Sequence, residues 1–298
     1  MKQLNIANHT FDWGARTYVM GILNVTPDSF SGDGLLPSPS PPRERGGNQG
    51  GAVDQACSFL ASGADILDVG GESTRPGSEP VNAEAEMERV IPVVQALSVE
   101  FPDALISIDT YKAKVAEEAL KAGAHIVNDV WGLRADPELA GVAAKHNALV
   151  ILMHNRSNPA TVEVREQLGN AYIGAEYDGL LEDVKRELMD SVNLAKQAGI
   201  ESDRIILDPG IGFGKTVDHN LELINRLDEI RALGYPVLLG SSRKSFIGFT
   251  LDLPADQRVE GTAATIAVGI TRGADIIRVH DVEHMVRTAK MTDAIVRS

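Results

Sequence analysis

The stretch SGADILDVGGESTRPGS, residues 62–78, contains one complete unit of the pattern that decides the fold. Gly63 stands where a glycine is expected to cap the C-terminus of a helix, and the apolar run DILDV (65–69) follows it directly. A polar segment that includes Glu72 follows this run. The unit therefore predicts a helix, a glycine cap, a buried strand and a polar loop at the carboxyl end of that strand.

The same unit recurs along the chain. Glycine also precedes an apolar run in AGAH, AGIE and RGAD. The runs with strand character are YVMGIL (18–23), DILDV (65–69), ALISI (104–108), HIV (125–127), ALVILM (148–153), RIIL (204–207), PVLL (236–239) and DIIRV (275–279). Helical segments separate them, and Pro92 is expected to bend one of these helices. Eight such units in 298 residues predict an α/β fold, a (β/α)8 TIM barrel, with a doubly wound sheet as the alternative.

The chain is expected to form a single barrel domain over residues 1–298. Residues 1–17 predict an N-terminal β-hairpin that turns near ANHT and lies at the closed bottom of the barrel. Residues 31–51 predict a long mobile loop after the first strand, because they are rich in Pro, Gly and Ser and lack an apolar period. Residues 155–175 predict a second long, irregular connection.

The composition narrows the classes of partner and location. A formal net charge of -14 argues against nucleic acid and anionic membranes as partners, because an acidic chain repels both. The chain has no apolar run of membrane-spanning length and no apolar signal core at its N-terminus, so we expect a soluble, cytoplasmic protein. The single cysteine, Cys57, excludes an internal disulfide. It shares a helical face with Val53, Ala56 and Leu60, which predicts a buried thiol.

Polar side chains stand at the carboxyl ends of nearly all the predicted strands, where the active site of such a barrel lies. In chain order they include Asn24, Glu72, Ser73, Thr74, Arg75, Asp109, Thr110, Asn128, Asp129, His154, Asp208, Arg243, Lys244, Ser245, Arg278 and His280. Helix capping could explain one or two of them, with Asp109 and Asp129 as candidates, but not all of them on one rim. The pattern therefore predicts a functional site.

The residue types indicate the class of ligand. Asp109, Asn128 and Asp208 suit the amino, ring N–H and oxo edges of a flat heterocycle, because carboxylates accept and an amide both donates and accepts. The local positive charge suits phosphate and carboxylate groups, and it comes from Arg75, Lys244, Arg278 and His280.

Two further patterns are weaker. GIGFGKT (210–216) resembles the end of a phosphate-binding P-loop, but Pro209 stands where that motif requires its first glycine. Its glycines still permit a tight turn and close approach of a ligand to the backbone. HDVEH could supply a metal-binding pair, His280 and His284, but we expect His284 at the surface.

Several motifs in order resemble one known family, the dihydropteroate synthases. They are GILNVTPDSFS, DILDVGGESTRPGS, SIDT, IVNDV, ILDPGIGFGKT, GSSRKSFIG and EGTAATIAVGITRGADIIRVHDV. The resemblance runs from about Tyr18 to the C-terminus. It implies a (β/α)8 barrel that joins 6-hydroxymethyl-7,8-dihydropterin pyrophosphate to p-aminobenzoate, giving 7,8-dihydropteroate and pyrophosphate in folate synthesis. It also implies Mg²⁺ as cofactor and a homodimer.

The resemblance further implies roles for individual residues. The pterin ligands would be Asp109, Asn128, Met153, Asp208, Phe213 and Lys244. The pyrophosphate ligands would be Asn24, which also reaches Mg²⁺, with Arg278 and His280. The p-aminobenzoate ligands would be Phe30, Thr74, Arg75, Pro76, Phe213, Lys244 and Ser245. The groups that act on the reacting atoms would be Asp109, Asp208, Lys244, Arg278 and His280.

The chain departs from the family pattern after its first strand. The family usually has SFSDGG, whereas this chain has SFSGDG, which moves the acidic residue one place to Asp33. The motifs around Arg75 and Lys244 show no departure, so ordinary sulfonamide sensitivity is expected.

Two other functions remain as alternatives. A methyltetrahydrofolate methyltransferase would share the barrel and the Asp–Asn–Asp edge but would not need RKSFIG or STRPGS, which suit a second, carboxylated substrate. A non-catalytic pterin-binding barrel would not need the pyrophosphate ligands, and these are present as Asn24, Arg278 and His280.

Overall fold

The computed structural model describes residues 3–25, 48–72, 81–158, 162–165, 169–172 and 176–297. The strands are β1 (Leu4–Ile6), β2 (His9–Phe11), β3 (Tyr18–Asn24), β4 (Ile66–Gly70), β5 (Leu105–Asp109), β6 (Ile126–Asp129), β7 (Leu149–Met153), β8 (Val162–Arg165), β9 (Gly169–Tyr172), β10 (Ile205–Asp208), β11 (Leu238–Leu239) and β12 (Ile276–Val279). Eight of them form one parallel sheet in the order β10, β7, β6, β5, β4, β3, β12, β11. A parallel bridge between Leu207 and Val237 joins its two ends, so the sheet closes into a barrel. The predicted (β/α)8 barrel is confirmed, and each barrel strand overlaps one predicted run.

Helices follow the strands on the outside of the barrel. They are α1 (Asn48–Ser62), α2 (Ala83–Glu100), α3 (Ala113–Lys121), α4 (Leu139–Lys145), α5 (Leu180–Gln197), α6 (Val217–Asn225), α7 (Leu227–Arg231), α8 (Ser245–Leu251), α9 (Val259–Thr271) and α10 (Val282–Val296). Asn82 caps α2 by accepting a hydrogen bond from the amide of Ala85 at 2.8 Å, and the helix continues through Pro92. No helix in the described ranges combines the length and apolar character needed to cross a membrane.

The first helix corrects two expectations. It begins at Asn48, so residues 48–51 are helical rather than part of the predicted loop over 31–51, and residues 26–47 lie outside the described residues. Cys57 is exposed rather than buried. The face of α1 that packs on the barrel consists of Ala52, Val53, Ala56 and Phe59. Their spacing turns the position after Ala56 toward solvent.

The connection over residues 155–175 contains a short antiparallel hairpin, which the irregular loop expected there did not include. Strands β8 and β9 pair from Val162 opposite Tyr172 to Arg165 opposite Gly169. The sequence VEVR alternates apolar and polar residues with the period of two that a strand requires. Four residues of alternation are too short a signal to distinguish a strand from a loop.

The predicted N-terminal hairpin closes the bottom of the barrel. Strand β1 pairs with β2, with Leu4 opposite Phe11 and Ile6 opposite His9. The ring of Phe11 stacks on Trp13 at 4.8 Å between centroids and meets Tyr18 at 4.6 Å. These side chains form one buried cluster with the inward-facing residues at the starts of the barrel strands. The hairpin therefore excludes water from the end of the barrel opposite the strands' carboxyl ends.

Along four of the barrel strands, the inward-facing residues change from apolar to polar in a single step of two residues. Residues of the lower interior cluster include Ile66, Ile126, Ile206 and Ile276. Two residues further along the same strands stand Asp68, Asn128, Asp208 and Arg278. Because side chains two apart point to the same face of a strand, these polar groups occupy the layer directly above the apolar one.

Candidate active site

Neighbouring strands bring the predicted heterocycle ligands together at the carboxyl end of the barrel. Asp109 ends β5 and lies beside Asn128 of β6, and Asp208 ends β10 and lies beside Met153 of β7. Asn128, Met153 and Asp208 are each at most 5% exposed. By contrast, Asp129 points its carboxylate at the backbone and accepts hydrogen bonds from the amides of Trp131 and Leu133. The carboxylate of Asp129 thus stabilises the turn directly after β6. It does not cap the next helix, the alternative explanation for such residues, because α4 begins only at Leu139.

Arg278 lies across this polar layer and joins it to a carboxylate that the sequence analysis did not select. Its Nε donates to Oδ2 of Asp68 at 2.6 Å, and its Nη2 donates to Oδ2 of Asp109 at 2.6 Å. The amide of Asn128 donates to the same Asp68 oxygen at 3.2 Å. Asp68 is fully buried. One guanidinium therefore forms ion pairs with two carboxylates in the interior of the barrel.

A signal for Asp68 was present in the sequence. It stands inside the apolar run DILDV, two residues after Ile66, and an acidic residue at an inward position of a buried strand requires a partner. Reading only the residue after each run misses groups that lie one step below the rim. Arg278 also stands inside a run, and it was found because DIIRV places it near the end.

Burial and neighbouring charges have opposite effects on the pKa values of the groups in this layer. Burial raises the pKa of Asp109 to about 7, and the charge of Arg278 only partly offsets that increase. Burial alone would lower the pKa of Arg278, but Asp68 and Asp109 raise it above its ordinary value. Arg278 therefore stays charged, while the protonation of Asp109 changes near neutral pH.

Lys244 and Asp208 form the second half of the pocket. The side chain of Asp208 accepts a hydrogen bond from the amide of Gly210 at 2.7 Å. Lys244 donates to the carbonyl of Ile211, and its Nζ lies 4.7 Å from the ring centroid of Phe213. Burial lowers the pKa of Lys244 to about 8, and the charge of Asp208 opposes that change.

Gly240 lies beside these two charged side chains. An added Cβ at this position would lie 3.9 Å from both Oδ2 of Asp208 and Nζ of Lys244, which is ordinary van der Waals contact. A large side chain there would therefore crowd both charged groups. A carboxylate, an ammonium and an aromatic ring thus stand close together, which suits a flat polar heterocycle.

The predicted anion ligands lie at the rim beside this layer. Both the backbone amide and Nδ1 of His280 contact the hydroxyl of Ser242, at 3.2 and 3.1 Å. Arg243 makes a two-point ion pair with Asp281, with Nε to Oδ2 at 2.9 Å and Nη2 to Oδ1 at 2.5 Å. This pair fixes the loop after β11 against the loop after β12, next to His280.

Some of the remaining predicted site residues lie within the part of the chain that the structure describes, and others lie outside it. Asn24 ends β3 opposite Gly70 and is half-buried, and Ser245 is the first residue of α8 and is half-buried. Four predicted p-aminobenzoate ligands, and the displaced acidic residue of the first loop, lie outside the described residues; these are Phe30, Asp33, Thr74, Arg75 and Pro76. His284 is exposed, as expected.

The residues near Asn24 fit a metal ion that is held mainly by its substrate. Among the described residues, no group of three His, Cys, Asp or Glu side chains is arranged to enclose a metal. Mg²⁺ commonly keeps several waters and takes its other ligands from one or two protein oxygens and from phosphates. The amide oxygen of Asn24, at the rim, matches that kind of donor set.

Known proteins resemble this chain over nearly its full length. The model of the family described as pterin binding enzyme matches residues 20–280. The dihydropteroate synthase of Clostridium beijerinckii is 49% identical over 295 residues, which cover 99% of this chain and 100% of that relative.

Solved structures give the same result. A dihydropteroate synthase from Clostridium difficile, determined in the presence of pteroic acid, is 47% identical with a TM-score of 0.84 and covers 97% of this chain and 100% of its own. The Yersinia pestis dihydropteroate synthase in a sulfonamide drug complex is 38% identical with a TM-score of 0.86, and the match covers 100% of both chains. These similarities extend over the whole barrel and the residues at its carboxyl end.

Proposed function

The chain belongs to the dihydropteroate synthase family, and we propose that the polar layer of its barrel binds the pterin while the rim around Asn24 and His280 receives the pyrophosphate. The chain is a transferase of folate synthesis. It condenses 6-hydroxymethyl-7,8-dihydropterin pyrophosphate with p-aminobenzoate to give 7,8-dihydropteroate and pyrophosphate. The observation that carries the assignment of the site is the polar group at the carboxyl end of the barrel, where Asp109 lies beside Asn128 and where Lys244 and Asp208 both lie beside Gly240.

The pterin edge matches these groups chemically. A pterin presents amino and ring N–H donors beside ring nitrogen and oxo acceptors. Asp208 and Asp109 accept from the donors, Asn128 can do both, and Lys244 donates to an acceptor. Met153 and Phe213 supply apolar surface for the ring faces, since Met153 lies beside Asp208 and Phe213 lies beside Lys244.

The reaction breaks the bond between the pterin methylene carbon and the pyrophosphate oxygen. The electron pair leaves with the pyrophosphate, and positive charge spreads from the methylene carbon into the pterin ring. We propose that Asp109 and Asp208 stabilise that charge; their carboxylates are already fixed by Arg278 and by the amide of Gly210. Such preorganised charge is often the largest single contribution to catalysis.

The departing anion meets the cationic side of the site. We propose that Arg278 and His280 stabilise the developing charge on pyrophosphate, with Asn24 as a protein ligand of Mg²⁺. When bound, Mg²⁺ supplies neutralising charge to the leaving group. Ser242 holds the imidazole ring of His280 in place through the contact of its hydroxyl with Nδ1.

The amine of p-aminobenzoate then forms a C–N bond with the methylene carbon and releases one proton. A strong general base is not required, because a cationic carbon reacts with a weak amine nucleophile. We propose that Lys244 and Ser245 meet the carboxylate of p-aminobenzoate and that Phe213 covers its ring. Phe30, Thr74, Arg75 and Pro76, outside the described residues, are proposed to complete that subsite. Sulfonamides are proposed to compete with p-aminobenzoate there.

One assay distinguishes this function from its alternatives. The protein is mixed with dihydropterin pyrophosphate, Mg²⁺ and labelled p-aminobenzoate, and labelled dihydropteroate is the expected product. Methyl transfer from methyltetrahydrofolate without dihydropteroate formation would contradict it. Pterin binding without either reaction would instead support the non-catalytic barrel. The similarities described above give neither alternative support.

We also propose a cytoplasmic homodimer. The outer face of α9 and α10 exposes apolar side chains, including Val268, Met291 and Ile295, at 44%, 64% and 65%. A contiguous exposed apolar face commonly marks a protein–protein contact. Sedimentation of the wild type and of Val268→Glu is expected to give a dimer and a weaker dimer, respectively. A monomeric wild type at micromolar concentration would contradict the proposal.

A further inference from the structure

Lys215 ends the glycine-rich part of GIGFGKT, and its ammonium is enclosed inside the protein. The residue is 1% exposed. Its Nζ lies 2.9 Å from the carbonyl of Gly210, 3.0 Å from the carbonyl of Phe213 and 2.9 Å from Nδ1 of His154. A protonated ammonium has three N–H donors and no acceptor. Three acceptors around Nζ therefore match a charged lysine.

His154 is arranged to accept from this lysine. With Nδ1 as the acceptor, the ring proton of neutral His154 lies on Nε2, which is 3.0 Å from a carboxylate oxygen of Glu187. Burial, and to a smaller extent the charge of Lys215, lowers the pKa of His154 to about 4. The imidazole therefore remains neutral at physiological pH and keeps its acceptor for Lys215.

The loop that Lys215 holds packs backbone against backbone on the end of β7. Gly210 has φ +71, and a Cβ added there would lie 1.8 Å from the carbonyl oxygen of His154. Gly214 has φ +63, and its added Cβ would lie 2.3 Å from the carbonyl group of Arg156. Both positions require glycine for their φ and for their lack of a side chain. The glycines of this motif thus bring two loops into contact rather than cradle a phosphate.

This loop positions three of the proposed pterin ligands. The amide of Gly210 fixes the carboxylate of Asp208, the carbonyl of Ile211 accepts from Lys244, and Phe213 lies beside Lys244. The two carbonyls bound by Lys215 belong to residues of this same short loop. A change in the loop path would therefore move Asp208, Lys244 and Phe213 together.

We propose that Lys215 is a positioning residue for the pterin substrate: it ties the loop Gly210–Gly214 to β7 and so fixes Asp208, Lys244 and Phe213. The proposal rests on the proposed pterin site, and no direct contact between Lys215 and substrate is part of it. Lys215 acts through its two carbonyl acceptors and through its charge near Asp208.

The charge of Lys215 gives the proposal a readout that loop geometry alone does not. Burial raises the pKa of Asp208, and the opposing groups are Lys244, the Gly210 amide, Lys215 and Arg278. Besides Asp208, the charged or titratable groups around Lys215 include His154 directly after β7, Arg156 from the loop that follows, Glu187 from α5, His219 from α6 and Lys244 from the loop after β11. Burial lowers the pKa of Lys215 well below its ordinary value, and Asp208 opposes this. The three acceptors around Nζ also favour the charged form, so the argument for the charge rests on this geometry. Removing the lysine charge should raise the pKa of Asp208 further.

The test compares Lys215→Met with Asn220→Ala. Oδ1 of Asn220 accepts from the amide of Gly212 at 2.6 Å, so Asn220→Ala loosens the same loop without removing a charge. The measurements are KM for dihydropterin pyrophosphate and the binding of a pyrophosphate-free pterin as a function of pH. We expect Lys215→Met to weaken pterin binding about tenfold or more, because bonds from a charged donor are strong ones. The part of the acid limb that Asp208 contributes, as distinct from the Asp109 part, should move up by about half a pH unit or more.

The control variant Asn220→Ala separates the effect of the Lys215 charge from the effect of a loosened loop. Asn220→Ala should raise KM but leave the acid limb of pterin binding where it is in the wild type. Lys215→Gln, whose amide retains N–H donors without the charge, should show the same shift in pH dependence as Lys215→Met, and it serves if the methionine variant does not fold. The proposal is overturned if folded Lys215 variants bind pterin like the wild type, or if their acid limb coincides with that of Asn220→Ala. If wild-type protein forms no dihydropteroate, the proposed function fails instead.

Discussion

The guanidinium of Arg278 bridges Asp68 and Asp109 in the interior of the barrel, with both N–O distances at 2.6 Å. This places the cation proposed for pyrophosphate in direct contact with a carboxylate proposed for the pterin. The two halves of the substrate therefore meet groups that are already coupled by an ion pair. A change on either side of the bridge is expected to affect both binding and bond breaking.

Asp68→Asn tests this bridge from the side that no substrate is proposed to touch. The substitution keeps the shape but removes a charged acceptor that holds Arg278 and Asn128. We expect the free energy of unfolding to fall by about 2–3 kcal/mol, because hydrogen bonds to charged groups are typically worth that much. KM for the pterin substrate should rise as well, because Asn128, a proposed pterin ligand, and Arg278, which holds Asp109, lose their anchor.

Asp275→Asn is the matched control for Asp68. Asp275 is also a buried aspartate paired with an arginine, since Arg231 Nε lies 2.8 Å from its carboxylate, but it precedes β12 at the opposite end of the barrel. Denaturant unfolding should show a loss of stability in both variants. A rise in KM of equal size in both would contradict a specific role for Asp68.

Arg278→Ala should reduce turnover more than it reduces the binding of a pterin that lacks pyrophosphate. Loss of a preorganised group that stabilises developing charge costs roughly 10²–10³-fold in rate in known cases. Arg278→Ala should also weaken the binding of this pterin, because without the charge of Arg278 the pKa of Asp109 rises. This loss of binding should become smaller as pH rises and Asp109 ionises. Steady-state kinetics and direct pterin titration measure the two effects. If turnover and pterin binding fall by the same factor at every pH, Arg278 does not have the proposed role of stabilising the leaving group.

Pterin binding to the wild type should weaken as pH falls through about 7. Burial raises the pKa of Asp109 to about 7, and a protonated carboxyl no longer accepts two N–H donors. The ionised form therefore binds above this pH and is lost below it. Titration with a pyrophosphate-free pterin avoids the ionisation of the pyrophosphate itself. Asp109→Asn should bind weakly at all pH values and lose the limb near pH 7, so that only the contribution of Asp208 remains. A wild-type profile that is flat from about pH 5 to about pH 8 would contradict the assignment.

The barrel and its rim could be predicted because both depend on local pattern. Buried parallel strands are continuous apolar runs, and the residue that ends such a run lies at the carboxyl face by topology alone. Asp109, Asn128 and Asp208 were found in this way. Asp68 was not, because its partner Arg278 is 210 residues away in sequence and only the closed barrel brings them together.

Other features depend on packing that the sequence pattern does not express. The start of α1 contains Gly50 and Gly51, which are poor helix formers, and burial of the following Ala52 and Val53 outweighs that preference. The sequence did not indicate that Lys215 is buried, because lysine is almost always exposed. Its three acceptors are two loop carbonyls and His154, which follows β7 and is distant in sequence.

Phe11→Ala should destabilise the protein without changing its kinetics. Phe11 is 2% exposed and stacks between Trp13 and Tyr18 at the closed end of the barrel. Truncating a buried phenylalanine typically costs about 3–5 kcal/mol. Leu251→Ala, at a position that is 46% exposed, is the control and should change stability by less than about 0.5 kcal/mol. Denaturant unfolding and KM for both substrates are measured, and a changed KM in Phe11→Ala would mean that the hairpin affects the site.

KM for p-aminobenzoate should rise as pH increases through about 8. Burial lowers the pKa of Lys244 to about 8, so its ammonium loses its proton above that pH, while the carboxylate of p-aminobenzoate stays ionised. The attraction between the two groups therefore disappears on the alkaline side. Lys244→Arg keeps its charge throughout, because a guanidinium does not deprotonate in this range, and should remove the alkaline limb even if its KM is higher overall. A neutral amide analogue of p-aminobenzoate should show no such limb with the wild type. If the acid and the amide respond identically to pH, Lys244 does not bind the carboxylate.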